Sequence, residues 1–162
     1  MAKRLPEITI IRDTREHANN GWWFNEEEKK PGRIRVTGTV SQALDAADYT
    51  VLGYEDVVRI ERKAGICELF GNMIPVANRE RFEREMEKLR DIPYKYIVIE
   101  TNLNDDVLGL SVPQMFKGPT SSSVVKWLFE LQMEYGVVPV FAGGCGKRVA
   151  RYIFENAIRR VT

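Results

Sequence analysis

The chain has 162 residues, 44% hydrophobic, 29% charged and 10% aromatic, with a formal net charge of +1. That suffices for one domain with a real core and is short for two, and the composition excludes disordered and collagen-like classes. A charge so near zero excludes recognition of a polyanion by bulk charge, so any such contact must come from local patches. Met1 to Leu5 is polar and basic and leads into no apolar run of signal-peptide or membrane-span length, so a soluble intracellular protein with no membrane partner is expected.

Glu7 to Arg12 holds the run Ile8-Thr9-Ile10-Ile11 and reads as a strand that delivers Asp13-Thr14-Arg15-Glu16 at its end. Ala18 to Gly38 is rich in turn residues and predicts a loop, with one short strand near Ile34 to Thr37. Trp22, Trp23 and Phe24 within it fit a base-stacking platform or an anchor into the core, the latter being the commoner use of aromatics. Asp48 to Leu52 and Val57 to Lys63 are two short strands around the four-residue loop Gly53-Tyr54-Glu55-Asp56. Helices are expected over about Gly65 to Asn72 and about Arg79 to Arg90, the second with Phe82, Met86 and Leu89 as its apolar stripe.

Tyr96 to Glu100 has the continuous apolar character of a buried strand, and Asn102 to Thr120 returns to loop composition. Ser121 to Ser123 can cap a helix that carries Val124, Trp127, Leu128 and Leu131 on one side. Val137 to Phe141 is a strand, at a sheet edge because Pro139 lacks a donor. A last helix, about Lys147 to Arg160, has Ala150, Ile153, Phe154, Ala157, Ile158 and Val161 on one stripe. Strands alternating with helices predict a single α/β domain over residues 1–162, with a central mixed sheet.

The hairpin carries the chemistry. With Gly53 to Asp56 as its loop, Leu52 opposes Val57, Thr50 opposes Arg59 and Asp48 opposes Glu61. Alternation then puts Glu61 and Lys63 on the face of Asp48 and sends Arg62 to the other. Two opposed carboxylates repel, which a divalent cation reverses; a few carboxylates with water and phosphate suit Mg²⁺, with Mn²⁺ able to substitute. Lys63 beside them could stabilise charge on a phosphate or position the attacking water. Such a hairpin also occurs on ordinary surfaces, with Glu61 and Lys63 as a solvated ion pair.

Other features are less specific. Lys147, Arg148, Arg151, Arg159 and Arg160 face a single acid, Glu155, between Cys145 and Thr162, whereas bases and acids alternate from Arg79 to Arg90. Cys67 and Cys145 have neither CxxC spacing nor histidine partners, and read as buried or idle thiols. Gly143-Gly144-Cys145-Gly146-Lys147 fails as a phosphate loop, because Phe141 stands where the motif needs glycine.

Asp48-Tyr49 followed by Glu61-Arg62-Lys63 resembles the nuclease domain of the XPF/Hef family of structure-specific endonucleases. The resemblance extends to Asp13-Thr14-Arg15-Glu16, to Arg79 and Phe82, to the strand Tyr96 to Glu100 and to Tyr135 through Phe141. It implies a restriction-endonuclease-like mixed sheet flanked by helices and a divalent-metal-dependent DNA endonuclease hydrolysing phosphodiester bonds in branched, flap or fork DNA, in repair or recombination. It further implies metal ligation by Asp13, Asp48 and Glu61, a supporting Glu16, a catalytic Lys63, and Arg15, Arg62 and Arg79 orienting carboxylates or touching DNA. Homodimerisation through the C-terminal helices and a cytoplasmic or nucleoid-associated location follow from the same likeness.

The departures are Ala47 for the glycine before Asp48, Glu68 for the closing aspartate, Asn78 for a glycine, and an apparent insertion at Met73 to Ala77. The family's tandem helix-hairpin-helix domain is not found in the 162 residues, so a stand-alone nuclease is expected. A non-catalytic DNA-binding or dimer-partner subunit is the alternative. A sequence-specific restriction enzyme would have to read DNA with the loops Ala18 to Gly38 and Asn102 to Thr120.

Overall fold

The structure, a computed structural model, describes residues 5–16, 20–104 and 120–162. Residues 17–19 of the first long loop and 105–119 of the second lie outside the described residues, so a DNA-reading role for those stretches has no structural counterpart here. The elements run β1 (Glu7–Arg12), β2 (Arg35–Ser41), β3 (Tyr49–Val51), β4 (Val58–Lys63), α1 (Ile66–Met73), α2 (Val76–Lys88) and β5 (Tyr94–Ile99). After the second long loop come α3 (Ser121–Tyr135), β6 (Val138–Phe141), a 3₁₀ turn (Gly143–Cys145) and α4 (Gly146–Val161).

The strands form one six-stranded sheet in the order β2-β1-β3-β4-β5-β6. The β1–β3 and β3–β4 pairs are antiparallel and the other three parallel, so the sheet is mixed as expected. Alternation of side chains gives it two apolar faces. Helices α1, α2 and α3 cover one, with Leu69, Phe70, Met86, Trp127 and Leu128 against Ile97 and Ile99. Helix α4 covers the other, with Ala150, Phe154 and Ile158 packed among Ile8, Ile10, Ile60 and Val98. Each such side chain, once fully buried, contributes about 1.5–3 kcal/mol, and burial on both sides holds the hairpin rigidly between two layers. Pro139 lies on the terminal strand β6, where a missing donor costs no ladder bond.

Two elements and the cysteines differ from expectation. Strand β2 runs on to Ser41, well past Thr37, because Gly38 does not break it. Ile8 opposes Val36 but Thr9 opposes Gly38, so Thr37 is the extra residue of a bulge, and Gly38 takes φ +146° there. Helix α2 starts at Val76, three residues early: Pro75 precedes it and has no N–H to leave unsatisfied. Asn78 donates from Nδ2 to Gly71 O and Ile74 O (2.9 and 3.3 Å), joining the end of α1 to the start of α2. Both cysteines are exposed free thiols rather than buried ones. Among the described residues no helix is long and apolar enough to cross a membrane.

Of the three loop aromatics, Trp22 and Phe24 are buried, 5% and 4% exposed, while Trp23 is 47% exposed with the Arg12 guanidinium 5.9 Å from its ring. Trp22 lies 4.9 Å from the Tyr49 ring and Phe24 6.0 Å from Phe154. The anchor use therefore holds for two of the three.

Candidate active site

Tyr49 pairs with Ile60, and one step outward this register sets Asp48 opposite Glu61. Asp48 N–H donates to Ile60 O (3.0 Å), and Arg62 N–H returns a bond to Asp48 Oδ2 (2.7 Å). The residue before Asp48 explains one departure from the family pattern. Ala47 sits at φ +64°, the left-handed region that glycine enters freely and that costs an alanine about 1 kcal/mol. That strained turn is what brings Asp48 into line with β3.

Asp48, Glu61 and Lys63 share an open cavity of about 500 Å³. Helices α1 and α2 add Asn72, Arg81, Phe82 and Glu85 to its lining, and the turn after β1 adds Arg15. Lys63 is buried over the Phe82 ring (5.0 Å), with Nζ 2.8 Å from Glu61 Oε1 and 3.8 Å from Glu68 Oε1. Burial works against its ammonium, but Glu61, Glu68 and Asp48 together hold its pKa above the ordinary lysine value. Asp48 shows the reverse. Burial, then the charges of Glu61 and Glu16, push its carboxyl well above the usual aspartate range despite the Arg62 N–H and Lys63. A carboxylate held at such a cost suits a site that awaits positive charge.

The remaining residues singled out in the sequence are placed variously. Asp13 accepts from Arg15 N, Nε and Nη2 (2.7, 3.1 and 2.8 Å) and from Leu44 N–H (3.2 Å), and it is not among the residues lining the cavity. Burial would raise its pKa, but those bonds outweigh it and keep the carboxyl below its ordinary value. Its backbone N–H donates to Asp48 O (2.7 Å), so Asp13 braces Asp48 from the adjacent strand.

Glu16 and Arg62 lie on the opposite face of the sheet, 3.7 Å apart, and Arg62 Nε donates to Glu100 Oε1 (2.6 Å). Glu68 accepts from Ala64 N–H (2.7 Å) at the approach to α1, closing the first turn as well as facing Lys63. Arg79 is spent between α2 and α3: it bonds Glu83 and Glu130 and lies 5.7 Å from the Trp127 ring.

The cavity thus takes its α2 arginine two residues further on. Arg81 has no ion-pair partner among the described residues, and Glu85 follows it at i+4 beside Phe82. That spacing was available in the sequence, but the mixed charges around it read as an ordinary solvated helix face. Much of that face is indeed ion-paired, through Arg79–Glu83, Lys88–Glu85 and Arg90–Glu87. At the C-terminus Arg151 and Arg159 are likewise spent on Glu155, while Lys147, Arg148 and Arg160 remain exposed.

A six-stranded mixed sheet with helices on both faces makes this an α/β fold. Among solved structures the chain is similar to XPF from Aeropyrum pernix, with a TM-score of 0.57 and 20% identity over 95% of this chain and 61% of that one. It is also similar to XPF from Aeropyrum pernix in complex with DNA, with a TM-score of 0.58 and 16% identity over 95% of this chain and 66% of that one. At these identities the likeness is one of fold, and the chain spans less than two thirds of those chains. No protein-family model matches the sequence, and no curated protein matches it by sequence comparison.

Proposed function

We propose that this domain is a divalent-metal-dependent DNA endonuclease, hydrolysing phosphodiester bonds in branched, flap or fork DNA during repair or recombination. The observation that carries the reading is the opposed Asp48–Glu61 pair with Lys63 buried beside it in an open, polar cavity. The donor set fits a hard cation. Two carboxylates that repel each other face one space, whose lining also includes Glu85. Mg²⁺ is ordinarily held in this way, by one or two carboxylates, with its remaining positions left to water and phosphate.

Asp48 and Glu61 would hold the ion, with Mn²⁺ able to replace Mg²⁺. Asp13 would serve by fixing Asp48, since both of its own oxygens are engaged. When bound, the ion supplies Lewis-acid stabilisation of the charge that develops on the phosphate oxygens. Lys63 can donate to the same oxygens or orient the attacking water, and Phe82 beneath it limits the directions its ammonium can take. Arg81 and Arg15 would hold the flanking phosphates. A homodimer through the last two helices remains part of the proposal, but apart from Val161 the apolar stripes read from the sequence are buried or partly buried in this chain's own core. Contact would fall to the exposed Phe129, Met133, Tyr152 and Val161.

The test is cleavage of labelled flap, fork, four-way-junction and linear duplex DNA with Mg²⁺, Mn²⁺ or EDTA. Cutting of branched substrates with either metal and none in EDTA is expected. Binding without cutting of any substrate would leave the non-catalytic reading. For Arg81→Ala, DNA binding should weaken on every substrate, and the slope of log affinity against log salt should fall by about 1. An unchanged slope in a binding titration would remove Arg81 from the DNA contact.

A further inference from the structure

We propose that Trp22 and Glu100 are positioning residues for the Asp48–Glu61 pair, acting from the opposite face of the sheet; the inference rests on the endonuclease reading. Each carboxylate has a neighbour in sequence that points away from the cavity: Tyr49 after Asp48, and Arg62 after Glu61. Both neighbours are gripped by one small cluster. Trp22 N–H donates to Tyr49 Oη (2.6 Å) and the two rings stack at 4.9 Å. Trp22 Nε1–H and Arg62 Nε–H converge on the same oxygen, Glu100 Oε1, at 2.7 and 2.6 Å, and the Arg62 guanidinium lies 5.6 Å from the Trp22 ring.

Two further bonds connect this cluster to the site. Arg62 N–H is the donor to Asp48 Oδ2, and Glu100 N–H donates to Lys63 O (2.9 Å). Arg62 cannot shift without moving Glu61 beside it and withdrawing the N–H that orients Asp48. Space behind the cluster is closed as well. A Cβ on Gly146 would lie 2.8 Å from Glu100 Cγ and 2.9 Å from Trp22 Cζ2, so the start of α4 presses directly on both residues. The loop that carries Trp22 therefore fixes the carboxylates without entering their cavity.

The test compares the wild-type chain with Glu100→Leu, which removes the shared acceptor of both bonds, and Trp22→Phe, which removes only the indole donor. Arg151→Gln is the control: it disturbs a buried ion-pair network of similar burial that does not touch the hairpin. The readouts are Mn²⁺ affinity by electron paramagnetic resonance without DNA, kcat and KM on the best-cut substrate, and the melting temperature, with assays run well below the lowest melt. Loss of the partners that orient metal ligands typically weakens metal affinity or activity about 10–100-fold, so Glu100→Leu should lose Mn²⁺ affinity and kcat by such a factor with little change in KM. Trp22→Phe should move the same way by several-fold.

Wild-type Mn²⁺ affinity and kcat in a folded Glu100→Leu would overturn the inference. So would an equal loss in Arg151→Gln, which would mark a general loss of stability. Should Glu100→Leu not fold, Trp22→Phe decides on the same readouts. A wild-type chain that binds no Mn²⁺ and cuts nothing would instead remove the endonuclease reading itself.

Discussion

Asp48→Asn is expected to lower DNA cleavage by about 10²–10³-fold, because it weakens the hold on the ion that would meet the transition-state charge. In EDTA the same variant should melt higher than the wild type. Burial and the charges of Glu61 and Glu16 disfavour the Asp48 carboxylate, while its one backbone bond, from Arg62 N–H, can be accepted equally by an asparagine oxygen. Relief of like-charge opposition is worth up to about 1 kcal/mol, or about 2–4 °C for a chain of this size.

Lys63→Ala gives the contrasting result. Cleavage should fall comparably, but stability should fall too, by about 3 kcal/mol, because Glu61 loses a partner at 2.8 Å and the ring of Phe82 is uncovered. The figure is set at the lower end of the range for broken buried pairs because Glu61 borders an open cavity. Thermal melts in EDTA beside cleavage assays in Mg²⁺ separate the effects. An Asp48→Asn variant less stable than wild type would sink the repulsion argument, and full cleavage by either variant would sink the site.

What was legible in the sequence was what depends on spacing. The parity of the loop Gly53 to Asp56 set Asp48 opposite Glu61, and the alternation along β4 separated Lys63 from Arg62. Pro139 at an edge and the anchoring of Trp22 and Phe24 follow from chemistry that a single residue carries. What was not legible depends on which of several equivalent partners a side chain meets. Arg79 and Arg81 both sit near the start of α2, and only the arrival of α3 turns Arg79 toward Glu130 and leaves Arg81 at the cavity. Asp13 similarly has the composition of a metal ligand. Its use is decided by Arg15 folding back on it and by Leu44, 31 residues away in the chain. Gly38 misled for a related reason, since a glycine at a bulge and one at a strand end are the same letter.

The other large effect should come from Arg151, which no local pattern marked as structural. Its side chain is 9% exposed and bonds Glu27 through Nε and Nη2 (2.7 and 2.9 Å), Glu155 (2.9 Å) and Ile34 O (2.6 Å), tying the segment from Glu27 to Ile34 onto α4. Arg151→Ala should destabilise the fold by about 3 kcal/mol, or about 6–12 °C, by leaving carboxylates and a carbonyl without their donor. Glu27 is more than a third exposed and recovers water, so the greater part of the loss falls on Ile34 O and on Glu155, whose remaining partner is Arg159 at 2.7 Å.

The effect should depend on pH in a fixed direction. The Arg151 bond holds Glu27 below its ordinary pKa of 4.5, and Arg159 and Arg151 outweigh burial to hold Glu155 below the same value. A depressed carboxylate contributes stability that is complete above its unfolded pKa and lost as pH falls through the folded one. The gap between wild type and Arg151→Ala should therefore be full near neutral pH, begin to narrow as pH falls below the ordinary glutamate value of 4.5, and close only where the depressed carboxylates of the wild type are themselves protonated. Melting curves from pH 3 to 8 read this directly, and a gap that stayed constant across that range would mean that Arg151 stabilises the fold by packing alone, with its charge contributing nothing.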